Sequence, residues 1–206
     1  MLALILFIVL ILFFIILIEI VSRKYSISSS VSRKLSHISG ALAVSVMPIF
    51  LSRSEVIIVG MFFAMLLFST RRTNIFSSIH SVQRRTFGEI FLPLGVVSCA
   101  LLFLPENKMA FQFGILIMGI SDALASLIGE RFGKHIIRIF GQKKTIEGSV
   151  AFFISSIIIA CFFVPGLEYR VLIISFILTI VELLSIAGLD NLILPIVGAY
   201  LIQLLK

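Results

Sequence analysis

Runs of about 16 to 20 apolar residues recur along this 206-residue chain, at 2–21, 35–51, 55–70, 89–104, 110–128, 149–164, 171–188 and 191–205. Each is close to the length a helix needs to cross ~30 Å of hydrocarbon. Within lipid a segment must satisfy its own backbone N–H and C=O groups, and the runs lack the period-2 alternation of a barrel strand, so they read as helices. The expected fold is an all-α integral membrane protein, a bundle of about eight transmembrane helices forming a single domain over 1–206. Sixty per cent hydrophobic and 13% charged residues, with a mean hydropathy of +1.20, exclude a soluble globule.

The first run, 1–21, has no basic n-region and no A-x-A-like cleavage site, and it leads directly into Arg23 and Lys24. It reads as a retained helix and not a cleaved signal. Cys99 and Cys161 fall in separate apolar runs without ligand spacing, as packing residues do.

Eight crossings assign the connections alternately to two sides. Thirteen of the 17 lysines and arginines fall on one side, in 22–34, 71–88 and 129–148; only Arg53, Lys108, Arg170 and Lys206 fall on the other. That bias makes the basic loops cytosolic and puts both termini on the non-cytosolic side. The net charge of +7 is accounted for by anionic headgroups and topology, and calls for no nucleic acid.

The acids are less easily dismissed. Glu89, Asp122, Glu147, Glu182 and Asp190 all lie on or toward the cytosolic side, and Asp122 and Glu182 sit about two turns inside predicted helices. An intramembrane carboxylate costs about 2.5–3.5 kcal/mol on insertion scales, so it marks a candidate site. Around Asp122, the residues Ala125, Ser126, Gly129 and Gly133 share one helical face with almost no side-chain bulk. Such a face suits either close helix packing or the approach of a ligand or metal.

Downstream stand Lys134, Arg138, Lys143, Lys144 and Thr145, then Glu147 and Gly148 as the next helix starts. Cations, a hydroxyl and a helix N-terminus suit a polyphosphate; equally, Thr145 could cap the helix while the lysines mark the interface. Two further cytosolic segments carry Arg33, Lys34 and His37, and Arg84, Arg85 and Glu89; a last one carries Asp190 and Asn191. There is no Walker loop, no Ser-His-Asp order and no zinc-type cluster.

Taken in order, "RKLSH", "RRTFGEIFLPLG", "SDALASLIGERFGK", "KKTIEGS" and "DNLILP" resemble the CTP-dependent polyprenol kinase family of membrane proteins, which includes dolichol, phytol and CTP-dependent diacylglycerol kinases. The likeness spans about residues 32–196. The part from Asp122 to Gly148 is also similar to phosphatidate cytidylyltransferase. Ser121 stands where family members often have glycine.

The resemblance implies a membrane-embedded enzyme that transfers the γ-phosphoryl of CTP to a lipid alcohol at the cytosolic face, in the plasma membrane if the source is prokaryotic. It implies Mg²⁺ held by Asp122, with Glu147, Glu182 and Asp190 as further ligand candidates. Lys134, Lys143, Lys144, Thr145, Glu147 and Gly148 would hold the nucleotide with Ser126, Gly129 and Asn191 beside it, Lys144 also serving catalysis. Arg33, Lys34, His37, Arg84 and Arg85 would close the site on the acceptor, and His37 or a carboxylate such as Glu89 would take the hydroxyl proton. A diacylglycerol kinase, a cytidylyltransferase making a CDP-lipid, and a transporter or channel are the alternatives.

Overall fold

A computed structural model describes residues 1–71, 88–164 and 169–204. The helices are α1 (Leu2–Tyr25), α2 (Ser29–Phe50), α3 (Arg53–Thr70), α4 (Gly88–Phe103), α5 (Lys108–Leu116), α6 (Asp122–Phe132), α7 (Ile146–Phe163), α8 (Tyr169–Leu184) and α9 (Asp190–Gln203). A π-helical turn, Ile117–Ser121, joins α5 to α6 in one continuous rod, Lys108–Phe132. The described residues thus form eight rods, one for each apolar run.

Four of these rods are long and apolar enough to cross a bilayer: Leu2–Tyr25, Arg53–Thr70, Lys108–Phe132 and Ile146–Phe163. Large apolar side chains such as Phe13, Phe50, Phe68, Leu102, Phe162 and Phe176 face outward. An outer surface of this kind is compatible with lipid and not with water, and the protein is an integral membrane protein.

The rod Lys108–Phe132 forms the centre, with 61% of its apolar window buried against 17% for α1. Phe111, Phe113, Ile115, Ile117 and Met118 are fully enclosed and meet Met47 of α2, Phe152 of α7, Leu178 of α8 and Leu194 of α9 in one core. With lipid outside, burial alone drives little association between helices, and backbone proximity matters more. A Cβ on Gly119 would lie 2.0 Å from the Cβ of Ala41, so α2 rests directly on the π-turn. At Gly95, a Cβ would lie 2.2 Å from the Asn191 carbonyl oxygen. That oxygen is the one Pro195, lacking an N–H, leaves without its helical donor.

The helix starts are capped where the sequence supplies short polar residues. Ser52 and Glu55 form a reciprocal capping box on α3, Asn107 accepts from Ala110 N–H at 3.0 Å on α5, and Thr145 accepts from Gly148 N–H at 3.1 Å on α7.

Two features depart from plain helices. The segment after α6 is an antiparallel hairpin, β1 (Ile136–Ile139) with β2 (Gln142–Thr145), pairing Ile137 with Lys144 and Arg138 with Lys143. Its two-residue turn has Phe140 at φ 47 and Gly141 at φ 78, the left-handed pair that matches strand twist. The other departure is the π-turn. Asp122 N–H donates to the Ile117 carbonyl five residues back, which inserts an extra residue and rotates everything before Asp122 by about 100° relative to a regular helix.

Candidate functional site: a polar cavity at one end of the bundle

The N-terminal parts of α2 and α9, the C-terminal part of α8, helix α6 and the hairpin converge on one end of the molecule. Between them lies a cavity of about 530 Å³. Its walls carry Arg33, Lys34 and His37 from α2, Asp122, Ser126 and Gly129 from α6, Lys143, Lys144 and Thr145 from β2, Glu182 from α8, and Asp190 and Asn191 from α9. The π-turn and the small residue at Gly119 together set Asp122 against α2.

Two ion pairs cross this space. Lys34 Nζ donates to Asp122 Oδ2 at 2.7 Å, with both side chains almost wholly enclosed. Lys144 Nζ donates to Glu182 Oε1 at 2.7 Å and also to the Glu182 main-chain carbonyl, tying the hairpin to α8. Each pair offsets desolvation that either ion alone would suffer. At the rim, Glu130 accepts from Ser30 Oγ at 2.6 and 2.7 Å and from Ser126 Oγ at 3.2 Å, joining the start of α2 to α6.

Other polar atoms here lack partners. Among the described residues six buried side-chain N or O atoms have no hydrogen-bond partner, and four of them, Arg33 Nε, His37 Nδ1, Ser149 Oγ and Asn191 Oδ1, belong to residues lining this cavity. Buried polar groups are nearly always satisfied, so four orphans on residues of one cavity call for partners that water, an ion or a polar ligand would supply. Asn191 is fixed for such a role. Its Nδ2 donates to the Gly88 carbonyl at 2.9 Å, holding α9 against the start of α4, while Oδ1 is left over.

Most of the residues read from the sequence therefore meet. Gly133, packed against Thr145, and four others do not line this cavity. Glu147 turns away: its carboxylate takes His135 Nδ1 at 2.8 Å and His135 N–H at 3.3 Å, bracing the hairpin against α7. Lys134 is exposed beside it. Glu89 lines a separate, apolar cavity and pairs with Arg71, Nε to Oε1 at 3.4 Å. Arg138 lies in β1, exposed and paired with Lys143 across the hairpin. Arg84 and Arg85 lie outside the described residues.

The small-residue face packs closely at one end and borders the cavity at the other. Gly129 and Gly133 take Thr145 so closely that a Cβ on either would lie 2.7 and 2.5 Å from its side chain, whereas Asp122, Ala125 and Ser126 face the cavity. Thr145 likewise caps α7 and lines the cavity. Glu130, Gln142 and Ser149 are lining residues that the sequence reading did not single out. For Glu130 a signal existed, since it stands at i+8 from Asp122 and i+4 from Ser126 on the same stripe. Among the described residues no group of three or more His, Cys, Asp or Glu side chains is arranged to hold a metal by itself.

No protein-family model matches the chain, and no solved structure matches it. Curated relatives do. A phytol kinase of Synechocystis is 30% identical over 191 residues, covering 88% of this chain and 82% of its own length. The dolichol kinase of Schizosaccharomyces pombe is 40% identical over 97 residues, 44% of this chain and 19% of that protein. The dolichol kinase of Saccharomyces cerevisiae is 48% identical over 46 residues, 22% of this chain and 8% of that protein. With a relative of that identity matching nearly nine-tenths of its length, the chain belongs to the polyprenol kinase family, that of the phytol and dolichol kinases.

Proposed function

We propose that the protein is a CTP-dependent lipid-alcohol kinase that moves the γ-phosphoryl group of CTP to an isoprenoid alcohol, giving the lipid monophosphate and CDP. The observation that carries this is the enclosure of Lys34, Lys144, Asp122 and Glu182 in one cavity ringed by unpartnered polar atoms, in a chain with kinase relatives. Phosphoryl transfer asks little covalent chemistry of a protein. It needs cations around the phosphates and a hydroxyl held in line.

In this reading Lys144, Lys143 and the Arg33 guanidinium bind the triphosphate, and the Asn191 Oδ1 and Ser149 Oγ orient the nucleotide. The hydroxyl oxygen of the acceptor attacks the γ-phosphorus while the bond to the β-bridging oxygen breaks, and CDP leaves with that electron pair. His37, buried with Nδ1 unpartnered, takes the hydroxyl proton.

Three carboxylates, Asp122, Glu182 and Asp190, line the cavity. This fits Mg²⁺, which commonly takes one or two carboxylates and completes its shell with phosphate oxygens and water. Bound there, the ion would neutralise charge on the phosphates. The cavity end would face the cytosol, the eight rods would each cross the membrane, and both termini would lie on the far side.

Purified protein in nanodiscs, given γ-labelled CTP, Mg²⁺ and a panel of prenols, phytol and diacylglycerol, tests the reading. Label should pass to a prenol-type alcohol with release of CDP. Cytidine on the lipid with labelled pyrophosphate released would replace it with a cytidylyltransferase, and no turnover of CTP at all would remove it.

A further inference from the structure

The hairpin of β1 and β2 has two unlike faces. Ile137 and Lys144 are opposed on one, and Lys144 there holds Glu182 beside the cavity. Because side chains alternate along a strand, Ile136, Arg138 and Lys143 fall on the other face, and the turn adds Phe140. All four are exposed, Phe140 by 74% and Ile136 by 58%. Arg138 lies directly opposite Lys143, a position in which like charges repel. Among the described residues neither cation pairs with a carboxylate. Of the two, Lys143 also lines the cavity and Arg138 does not. A tight turn of this type favours asparagine, aspartate or glycine at its first position. Phe140 stands there instead, at φ 47, an aromatic ring held out on a strained backbone with little packed against it.

The bilayer is close to this face. Helix α6 ends at Phe132 and α7 begins at Ile146, and both belong to rods long and apolar enough to cross a membrane. Ile146 N–H donates to the His135 carbonyl at 3.0 Å, which closes the base of the hairpin on the first turn of α7. A four-residue strand spans about 13 Å, and a headgroup layer is about 5–8 Å deep. The whole hairpin therefore lies within a few ångströms of that layer. Phe132 and Ile146, both exposed, continue its apolar surface at the base.

We propose that the outer face of the hairpin is a docking surface for anionic phospholipid, with the Phe140 ring among the upper acyl groups and the Arg138 guanidinium on a headgroup phosphate. Apolar side chains interleaved with cations suit a boundary that is hydrocarbon on one side and anionic on the other. A phosphate beside Arg138 also offsets its repulsion from Lys143, which no described side chain does. The surface lies outside the polar cavity, since neither Arg138 nor Phe140 is among its walls. It stands apart from the kinase reading, and it seats the strand that carries Lys144 from the side opposite Glu182.

The chain has no tryptophan, so Phe140→Trp creates a single fluorophore at a position already aromatic and exposed, and Ile136→Trp gives a second reporter on the same face. Each variant is placed in nanodiscs of phosphatidylcholine with increasing phosphatidylglycerol, one lipid or the other brominated on its acyl chains. Brominated lipid should quench the emission, and brominated phosphatidylglycerol should do so more than brominated phosphatidylcholine at the same mole fraction. Adding Arg138→Gln should raise the phosphatidylglycerol needed for half-maximal quenching about fivefold, the equivalent of about 1 kcal/mol for one cation at an anionic surface, and Arg138→Lys should restore most of it. Emission typical of an indole in water, unquenched by either lipid in both reporters, overturns the docking surface. Equal quenching by the two lipids, or a preference that Arg138→Gln leaves unchanged, overturns the headgroup contact. Because the readout needs no turnover, a protein that phosphorylates nothing but shows this quenching would sink the kinase reading and leave the docking surface standing.

Discussion

Lys34 and Asp122 lie 88 residues apart in the chain and 2.7 Å apart in space, a buried ion pair between the start of α2 and the helix that follows the π-turn. Breaking such a pair leaves an uncompensated buried charge, whereas removing both ions can be nearly neutral. Lys34→Met should therefore destabilise the protein by about 3–5 kcal/mol, and Lys34→Met with Asp122→Leu by much less than the two single changes together. Thermal unfolding in detergent checks this. A double variant no more stable than the sum of its parts would mean that the pair does not form.

Asp122→Asn removes the charge and keeps an acceptor. The amide oxygen can still accept from Lys34, but the buried ammonium loses its counter-charge. Loss of one preorganised charged group in an active site costs about 10²–10³ in rate. CTP turnover should fall by that amount, with the unfolding temperature lowered but less than in Asp122→Leu, which keeps no acceptor for Lys34, and wild-type turnover would remove Asp122 from the reacting centre.

Glu147 should behave differently, although the sequence grouped it with Asp122. Its carboxylate is spent on His135 at the outer edge of the hairpin. Glu147→Gln keeps an acceptor there, so turnover and its dependence on Mg²⁺ should stay within about threefold of wild type, since surface ion pairs contribute about 0–1 kcal/mol. A large rise in the Mg²⁺ requirement would return Glu147 to the metal site.

Those three residues show where the sequence is legible and where it stops. The eight apolar runs become eight rods because length and composition are local properties. Asp122 stands out because an acid on a small-residue face is costly in lipid wherever the chain goes. Its partner is another matter: nothing near residue 122 indicates Lys34, since the contact exists only once Gly119 lets α2 settle on the central rod. The hairpin escapes notice because strands of four residues, "IIRI" and "QKKT", are too short to show a period. The π-turn escapes because "IMGIS" has the composition of any apolar helix. The direction of Glu147 is not legible because a helix-start acid looks the same whether it points toward a cavity or, as here, to His135.

Gly119 itself is open to test. A Cβ 2.0 Å from that of Ala41 cannot be accommodated without moving α2. Overpacking of this kind costs about 1–3 kcal/mol, and here the displaced helix also carries Lys34 and His37. Gly119→Ala should lower both stability and turnover, and Ala41→Gly should restore both in the double variant. Recovery of stability without turnover would show that the spacing of α2 and α6 is not what sets the site.

Lys144 joins the hairpin to α8 through Glu182 and faces the same cavity as Arg33. If its ammonium also binds the nucleotide, its removal should affect CTP more than the alcohol. Hydrogen bonds to charged groups are worth about 1.5–3 kcal/mol, so Lys144→Met should raise the KM for CTP by roughly 10- to 150-fold while the KM for the prenol stays near wild type. Glu182→Gln separates anchoring from binding. It removes the charge partner of Lys144 but keeps an acceptor, so a hairpin that is merely anchored should tolerate it with the CTP requirement unchanged. Equal rises for CTP and prenol in Lys144→Met, together with a lowered unfolding temperature, would make Lys144 a strut between β2 and α8 and leave phosphate binding to Lys143 and Arg33.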